Sequence, residues 1–157
     1  MKITKNTKIT PFLWFDTNLE DALEFYSSVF KSFKIINILR TDRTDSKSPV
    51  RTATFELEGH KFMALNGGPH FKFSPAISFL IECKDQDEVD YYWSKLSKGG
   101  ETMDCGWVKD KFGVSWQVVP AILEKLLFSS DSKKSERALD AMHKMKKMIV
   151  SDFKKVE

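Results

Sequence analysis

The chain has 157 residues, the length of one domain or of two small modules sharing a core, which excludes a large multidomain assembly. Its 41% apolar and 13% aromatic content supplies a sizeable core and excludes disorder. A net charge of +3 is too small a bias to argue for a nucleic-acid partner, and no apolar run approaches the roughly 20 residues of a membrane-spanning helix.

The charge is unevenly placed. Residues 1–119 hold 16 basic and 16 acidic side chains, whereas residues 120–157 hold nine and six. Eighteen of the 20 aromatic residues precede Pro120. A compact aromatic-rich body over 1–119, followed by a basic helical extension over 120–157, is therefore expected. The opening MKITKNTKIT alternates polar and apolar residues without the apolar block of a secretory signal, so a cytoplasmic location is expected. Cys83 and Cys105 have no further Cys or His at finger spacing, which favours reduced thiols over a zinc module or a disulfide framework.

In chain order, Thr10 to Phe15 is rich in β-formers, and Asp16, Thr17 and Asn18 are N-cap types standing just before Glu20 and Asp21. A helix is predicted from about Asn18 to Phe30, because Ala22, Phe25, Tyr26, Val29 and Phe30 recur at helical spacing. Phe33 to Arg40 reads as a strand and Thr41 to Pro49 as a polar loop. Residues 52–58 alternate, with Ala53, Phe55 and Leu57 on one face, as in a half-buried strand. Gly59 and His60 close a hairpin onto Phe62 to Leu65. The order is β-α-β-β-β over about 9–68.

After the Gly67-Gly68-Pro69 break the pattern begins again, over about 75–119. Ala76 to Glu82 reads as a strand, and Asp85 caps a helix whose stripe is Val89, Tyr92, Trp93 and Leu96 and which ends at Gly99-Gly100. Short strands follow near Glu101 to Lys109 and Val114 to Val119, joined by the turn Asp110-Lys111-Phe112-Gly113. At an offset of 66, Asp21 matches Asp87, Leu23 Val89, Glu24 Asp90, Tyr26 Tyr92 and Ser28 Ser94. The repeat of element order carries more weight than these identities. In the extension, Lys133 to Lys155 holds eight Lys or Arg, yet Ala138, Ala141, Met142, Met145 and Met148 form an apolar stripe at helical spacing. The charges are then the solvated face of a docked helix, and no nucleic acid is expected as a partner.

Paired β-α-β-β-β modules are the architecture of the glyoxalase, bleomycin-resistance and extradiol dioxygenase group, the vicinal oxygen chelate superfamily. The segments Thr10-Pro-Phe-Leu-Trp-Phe-Asp16, Glu20-Asp-Ala-Leu-Glu-Phe-Tyr26, Gly59-His-Lys-Phe-Met-Ala-Leu-Asn-Gly-Gly-Pro69, Phe71-Lys-Phe73, Ala76-Ile-Ser-Phe79 and Gly106-Trp-Val-Lys-Asp-Lys-Phe-Gly-Val-Ser-Trp-Gln117 resemble its PhnB-like branch, often labelled 3-demethylubiquinone methyltransferase-like. The tail, with Pro120, Leu126-Leu127, Ala138 and Ala141-Met142-His143-Lys-Met145, is similar as well. The resemblance implies an α+β fold of two glyoxalase-like modules, each curling its sheet around a cavity, with a C-terminal helical extension. It also implies a homodimer with a shared sheet or cavity.

In metal-using relatives, His and Glu from the first and last strands of each module hold a divalent ion facing the substrate. Matching motifs places Pro11, Ala64, Ala76 and Gln117 at those positions, and only Gln117 has a side-chain donor atom. Divalent metals need three or four N, O or S ligands, so no tightly bound metal and no cofactor are expected. A methyltransferase of the common kind needs a glycine-rich strand-to-helix turn, and neither Gly67-Gly68 nor Gly99-Gly100 has G-x-G-x-x-G form.

The remaining signal is that of a small-molecule pocket. Asn66, Ser78 and Gln117 are polar residues in apolar strands, and strand parity puts Asn66 with Ala64 and Ser78 with Ala76. Trp14, Phe55, Phe71, Trp107 and Trp116 are candidate walls. His70, in the connection between modules, is placed where a loop covers a cavity mouth, and imidazole suits proton transfer. His60 and His143 read as surface residues, Cys105 as structural, and the carboxylate pairs Asp104 with Asp110 and Glu56 with Glu58 as solvated. Catalytic residues are not assigned. The expected function is binding of a small organic molecule, against a metal-dependent lyase or dioxygenase and a dimeric interaction module as alternatives.

Overall fold

The computed structural model describes residues 8–41 and 50–156. The opening segment 1–7 and all of the polar loop 41–49 except Thr41 lie outside the described residues. The chain divides into two compact units after Lys72.

The first unit comprises β1 (Phe12–Phe15), α1 (Leu19–Val29), β2 (Phe33–Arg40), β3 (Val50–Leu57) and β4 (His60–Asn66). Its sheet runs in the order β1-β4-β3-β2, with β1 parallel to β4 and the other pairs antiparallel. Alternation along the strands buries Leu13, Phe15, Ala53, Phe55, Phe62 and Ala64, and α1 contributes Leu19, Ala22, Leu23, Tyr26 and Val29 to the same core. Each of the larger of these side chains contributes about 1.5–3 kcal/mol by leaving water. The helix starts where the cap residues predict, but no side-chain hydrogen bond comes from Asn18. The Leu19 N–H is instead met by Asn66 Oδ1 at 3.0 Å, while Asn66 Nδ2 donates to the Val50 carbonyl at 2.8 Å. The end of β4 thus ties the start of α1 to β3.

The β3–β4 hairpin turns on Glu58 and Gly59, with φ of 46° and 82°, and His60 is the first residue of β4. Two positive φ angles match the twist of the flanking strands, and Gly59 adopts its value without steric cost.

The second unit repeats the plan with β5 (Phe79–Cys83), α2 (Gln86–Ser97), β6 (Glu101–Thr102), β7 (Trp107–Lys109) and β8 (Ser115–Pro120), in the sheet order β5-β8-β7-β6. Again the first strand lies parallel to the last. Strand β5 begins three residues later than the alternation suggests, because Pro75 and Ala76 sit in a turn closed by Ile77 N–H on the Ser74 carbonyl. Asp85 caps α2 by accepting the Glu88 N–H at 2.9 Å, and Glu88 accepts the Lys84 N–H at 2.8 Å. Val89, Tyr92 and Leu96 are buried on α2, as are Val108, Trp116 and Val118 on the strands it packs against.

Asp110 corrects the expectation of a solvated carboxylate. It is only 2% exposed; its Oδ1 accepts the N–H groups of Phe112 and Val114, and its Oδ2 accepts the Trp116 indole N–H at 2.9 Å. The carboxylate is the hub of the β7–β8 turn.

The extension forms α3 (Ala121–Leu127), α4 (Ser132–His143) and α5 (Val150–Lys154), all within the second unit. Helix α4 ends before Met145, so the apolar stripe is not one continuous helix. The segment beyond it turns and bends against the loop before β7: the Cys105 and Gly106 N–H groups donate to the carbonyls of Met145 and Lys146 at 2.8 and 2.7 Å. Gln86 accepts the Val150 N–H and donates to the Met148 carbonyl, and Lys147 pairs with Asp90, whose pKa is lowered chiefly by that hydrogen bond. Met148 and Phe153 are fully buried.

Candidate functional site

In the second sheet, Trp116 and Val118 point to α2, and the alternation sends Gln117 and Val119 to the opposite face. The parallel register places Leu80 beside Gln117 and Glu82 beside Val119, while antiparallel pairing brings Trp107 beside Gln117 from the other side. Helices α3 and α4 cover part of this face with Leu123, Glu124, Leu127, Phe128 and Met142, leaving a cavity of about 270 Å³ into which Cys105 also opens. The walls are mainly apolar. Gln117 Nε2 donates to Ser78 Oγ at 2.8 Å, which fixes the amide and leaves its Oε1 as an acceptor. Ser115, on the same face of β8, has a buried hydroxyl with no hydrogen-bond partner among the described residues. A wider depression of about 640 Å³ lies elsewhere in this unit, lined by charged residues of both signs such as Asp85, Asp87, Lys147 and Lys154.

The pocket residues expected from sequence fall into three groups. Trp107 and Gln117 line the cavity of the second unit, and Ser78, outside that lining, is tied to it through its hydrogen bond with Gln117. Trp14, His70 and Phe71 belong to the first unit: the Trp14 indole donates to the Gly68 carbonyl at 2.9 Å and meets the Phe71 ring edge-to-face at 5.0 Å, and His70 and Phe71 are exposed. Phe55 and Asn66 are not cavity residues. Phe55 is stacked on Phe62 in the core beneath α1, and the Asn66 amide is spent on Leu19 and Val50. Asn66 is polar in an apolar strand because it caps a helix.

Of the four matched ligand positions, Gln117 lines the cavity and Ala64 does not. Ala64 is fully buried on the helix side, paired with Leu13 and Ala53. The residue equivalent to Gln117 is Leu65, paired with Trp14 as Gln117 is paired with Leu80. A one-residue slip in a strand moves a side chain to the other face. Ala76 precedes β5, and Pro11 offers only its carbonyl, to Met63 N–H. Among the described residues there is no group of three His, Cys, Asp or Glu side chains that could hold a metal ion. One neutral amide among these positions does not fit a tightly held divalent ion.

The two thiols differ. Cys83 is fully buried, and burial, aided by the negative charges of Glu88, Asp85 and Glu82, pushes its pKa up to about 12. Cys105 is half-buried at the cavity. One glycine of each doubled pair serves packing: a side chain on Gly67 would collide with the Trp14 ring, and one on Gly100 with the Lys109 carbonyl.

The family model for 3-demethylubiquinone-9 3-methyltransferase matches residues 7–119. A protein from Bacillus cereus, described as a putative 3-demethylubiquinone-9 3-methyltransferase and PhnB protein, is 36% identical; the match covers 73% of this chain and 100% of that one, with a TM-score of 0.68. The chain belongs to the PhnB-like, 3-demethylubiquinone-9 3-methyltransferase family. Two more distant structures share the PhnB-like fold at lower identity. A Pseudomonas aeruginosa protein is 18% identical over 73% of this chain and 98% of that one, with a TM-score of 0.62. The fosfomycin resistance protein FosX of Listeria monocytogenes, solved with Mn(II) and sulfate, is 16% identical over 70% and 88%, with a TM-score of 0.50. No curated protein matches the chain. The matched family stretch ends at Val119, so helices α3 and α4, which wall the cavity, lie beyond it.

The remaining lining residues escaped the sequence reading. Leu80 and Glu82 alternate on one face of β5, but which face meets Gln117 depends on the parallel register. The α3 residues carry no signal that they fold back over a sheet.

Proposed function

We propose that this PhnB-like protein binds a small, largely apolar organic molecule in the cavity of its second unit, with Gln117 orienting a polar group of that molecule. The observation that carries the reading is the Gln117 amide, held by Ser78 in an otherwise mainly apolar concavity. Binding sites of this kind have apolar walls and a few placed polar groups. At about 270 Å³ the cavity is near the lower end of the usual range of about 300–1,000 Å³, which favours a ligand of one or two rings. The methyl transfer in the family's description draws no support from these side chains, since neither doubled glycine has the G-x-G-x-x-G form of a nucleotide-binding turn and Gly67 and Gly100 are packed against Trp14 and Lys109.

The test uses 2-naphthylmethanol as a neutral probe, measured by calorimetry and by protection of Cys105 from iodoacetamide. One probe per chain is expected, with binding weakened by Gln117→Ala and blocked by Leu127→Trp. Absence of both heat and protection in the unaltered protein, with this probe and with its amine and carboxylate analogues, overturns the reading.

The proposal extends to a homodimer in the cytoplasm. Among the described residues no helix is long and apolar enough to cross a membrane. Strand β2 is the edge of its sheet, eight residues long, and exposes Ile35, Ile36, Ile38 and Leu39. A long apolar edge is an association surface unless it is covered. Sedimentation at micromolar concentration is expected to give a dimer, and a single 18.1 kDa species overturns this part.

A further inference from the structure

The polar groups of the cavity are one-sided. Two carboxylates, Glu82 on β5 and Glu124 on α3, line it, and no Lys, Arg or His does. Among the described residues neither carboxylate takes part in an ion pair. The lysine of the same sheet face, Lys109, lies outside the lining and is engaged by Glu101. The Gln117 amide has already used an N–H on Ser78 and presents an oxygen. The charged groups left to meet a ligand are therefore anionic only, with the Gln117 oxygen as a further acceptor, set among Leu80, Trp107 and Phe128.

We propose that this cavity takes a small organic cation, a primary or secondary amine carried on an apolar body, with Glu82 and Glu124 balancing the ammonium charge and Gln117 accepting one of its N–H groups. The inference rests on the reading of the same cavity as a small-molecule site and adds the chemical class of its ligand. A carboxylate ligand would meet two like charges without a cation to offset them, and a neutral one would leave the glutamates unused. Glu124 lies beyond the matched family stretch, so this preference belongs to the extension as much as to the shared fold.

Three probes with one ring system decide the matter: 2-naphthylmethylamine, 2-naphthylmethanol and 2-naphthoate, compared by calorimetry and by shielding of Cys105 from iodoacetamide at neutral pH. The amine is expected to bind about tenfold or more tighter than the alcohol, as for hydrogen bonds to charged groups, and the carboxylate weakest. The double variant Glu82→Gln, Glu124→Gln should abolish the advantage of the amine while leaving the alcohol unchanged. In that variant Cys83 must stay unreactive, which reports an intact core. Equal binding of amine and alcohol, or tighter binding of the carboxylate, overturns the cation proposal and leaves the small-molecule reading standing. Failure of all three to bind or to shield Cys105 overturns both.

Discussion

The Asp110 carboxylate holds the Trp116 indole N–H at 2.9 Å with both residues buried, and this pair decides which way β8 faces. With Trp116 pinned on the α2 side, Gln117 must emerge on the other. Asp110→Ala leaves three buried or half-buried N–H donors without their acceptor and is expected to cost about 3 kcal/mol or more. Trp116→Phe removes one of the three bonds and should cost less. Urea denaturation of the two variants checks the order; equal stability to the unaltered protein would show that the turn does not depend on this carboxylate.

Asn66 and Gln117 look alike in sequence, each a lone amide in an apolar strand, yet their replacement is predicted to have opposite readouts. Asn66→Ala removes the acceptor for Leu19 N–H and the donor to the Val50 carbonyl, and should lower stability by about 1–3 kcal/mol without changing probe affinity in the folded protein. Gln117→Ala should leave the urea midpoint nearly unchanged and weaken 2-naphthylmethanol by about 0.5–2 kcal/mol. A large loss of stability in Gln117→Ala would mark it as a structural residue.

Cysteine chemistry separates the core from the cavity. One thiol, Cys105, should react with iodoacetamide in the native protein, and Cys83 only on unfolding, because it is buried and its pKa is raised. A raised thiol pKa means that the folded state keeps a proton which the unfolded chain gives up first. Stability from this group is thus full below about pH 9 and falls as pH rises from there toward about 12, by about 1.4 kcal/mol per pH unit. The slope should be shallower by that amount in Cys83→Ala. Identical slopes would disprove the assignment.

Ser115 is the converse of Asp110: a buried hydroxyl with no hydrogen-bond partner among the described residues. Its removal in Ser115→Ala relieves a desolvated polar group and should raise stability by up to about 1 kcal/mol. A loss of more than that amount in thermal or urea unfolding would reveal a partner for this hydroxyl in the native protein.

The repeated module was legible because periodicity survives in sequence: Leu23 and Val89, and Tyr26 and Tyr92, recur at one offset and are buried alike. Gln117 was legible for the same reason, since Trp116 and Val118 betray its strand's parity. Ala64 and Asn66 were assigned to the wrong face because parity fixes only which residues share a face and does not say which face looks inward. That choice is made by α1, which packs over the face that carries Ala64, Ala53 and, from a strand remote in sequence, Leu13. The Phe55 side chain shows the same ambiguity, since a core aromatic and a pocket aromatic differ only in what lies above them. Asp110 looked solvated because a polar turn usually is, and its three donors come from residues too close in the chain to leave a pattern.

The two sheets have one strand order but unequal fates. Only the second continues into a chain that folds back over its open face, so the symmetry of the repeat is broken by length alone. Helices α3 and α4 form one wall without supplying any strand, whereas the opposite wall is bound into the sheet register. Substitutions at Leu123, Leu127 or Met142 would therefore reshape the helical wall of the cavity while leaving the pairing of the sheet untouched.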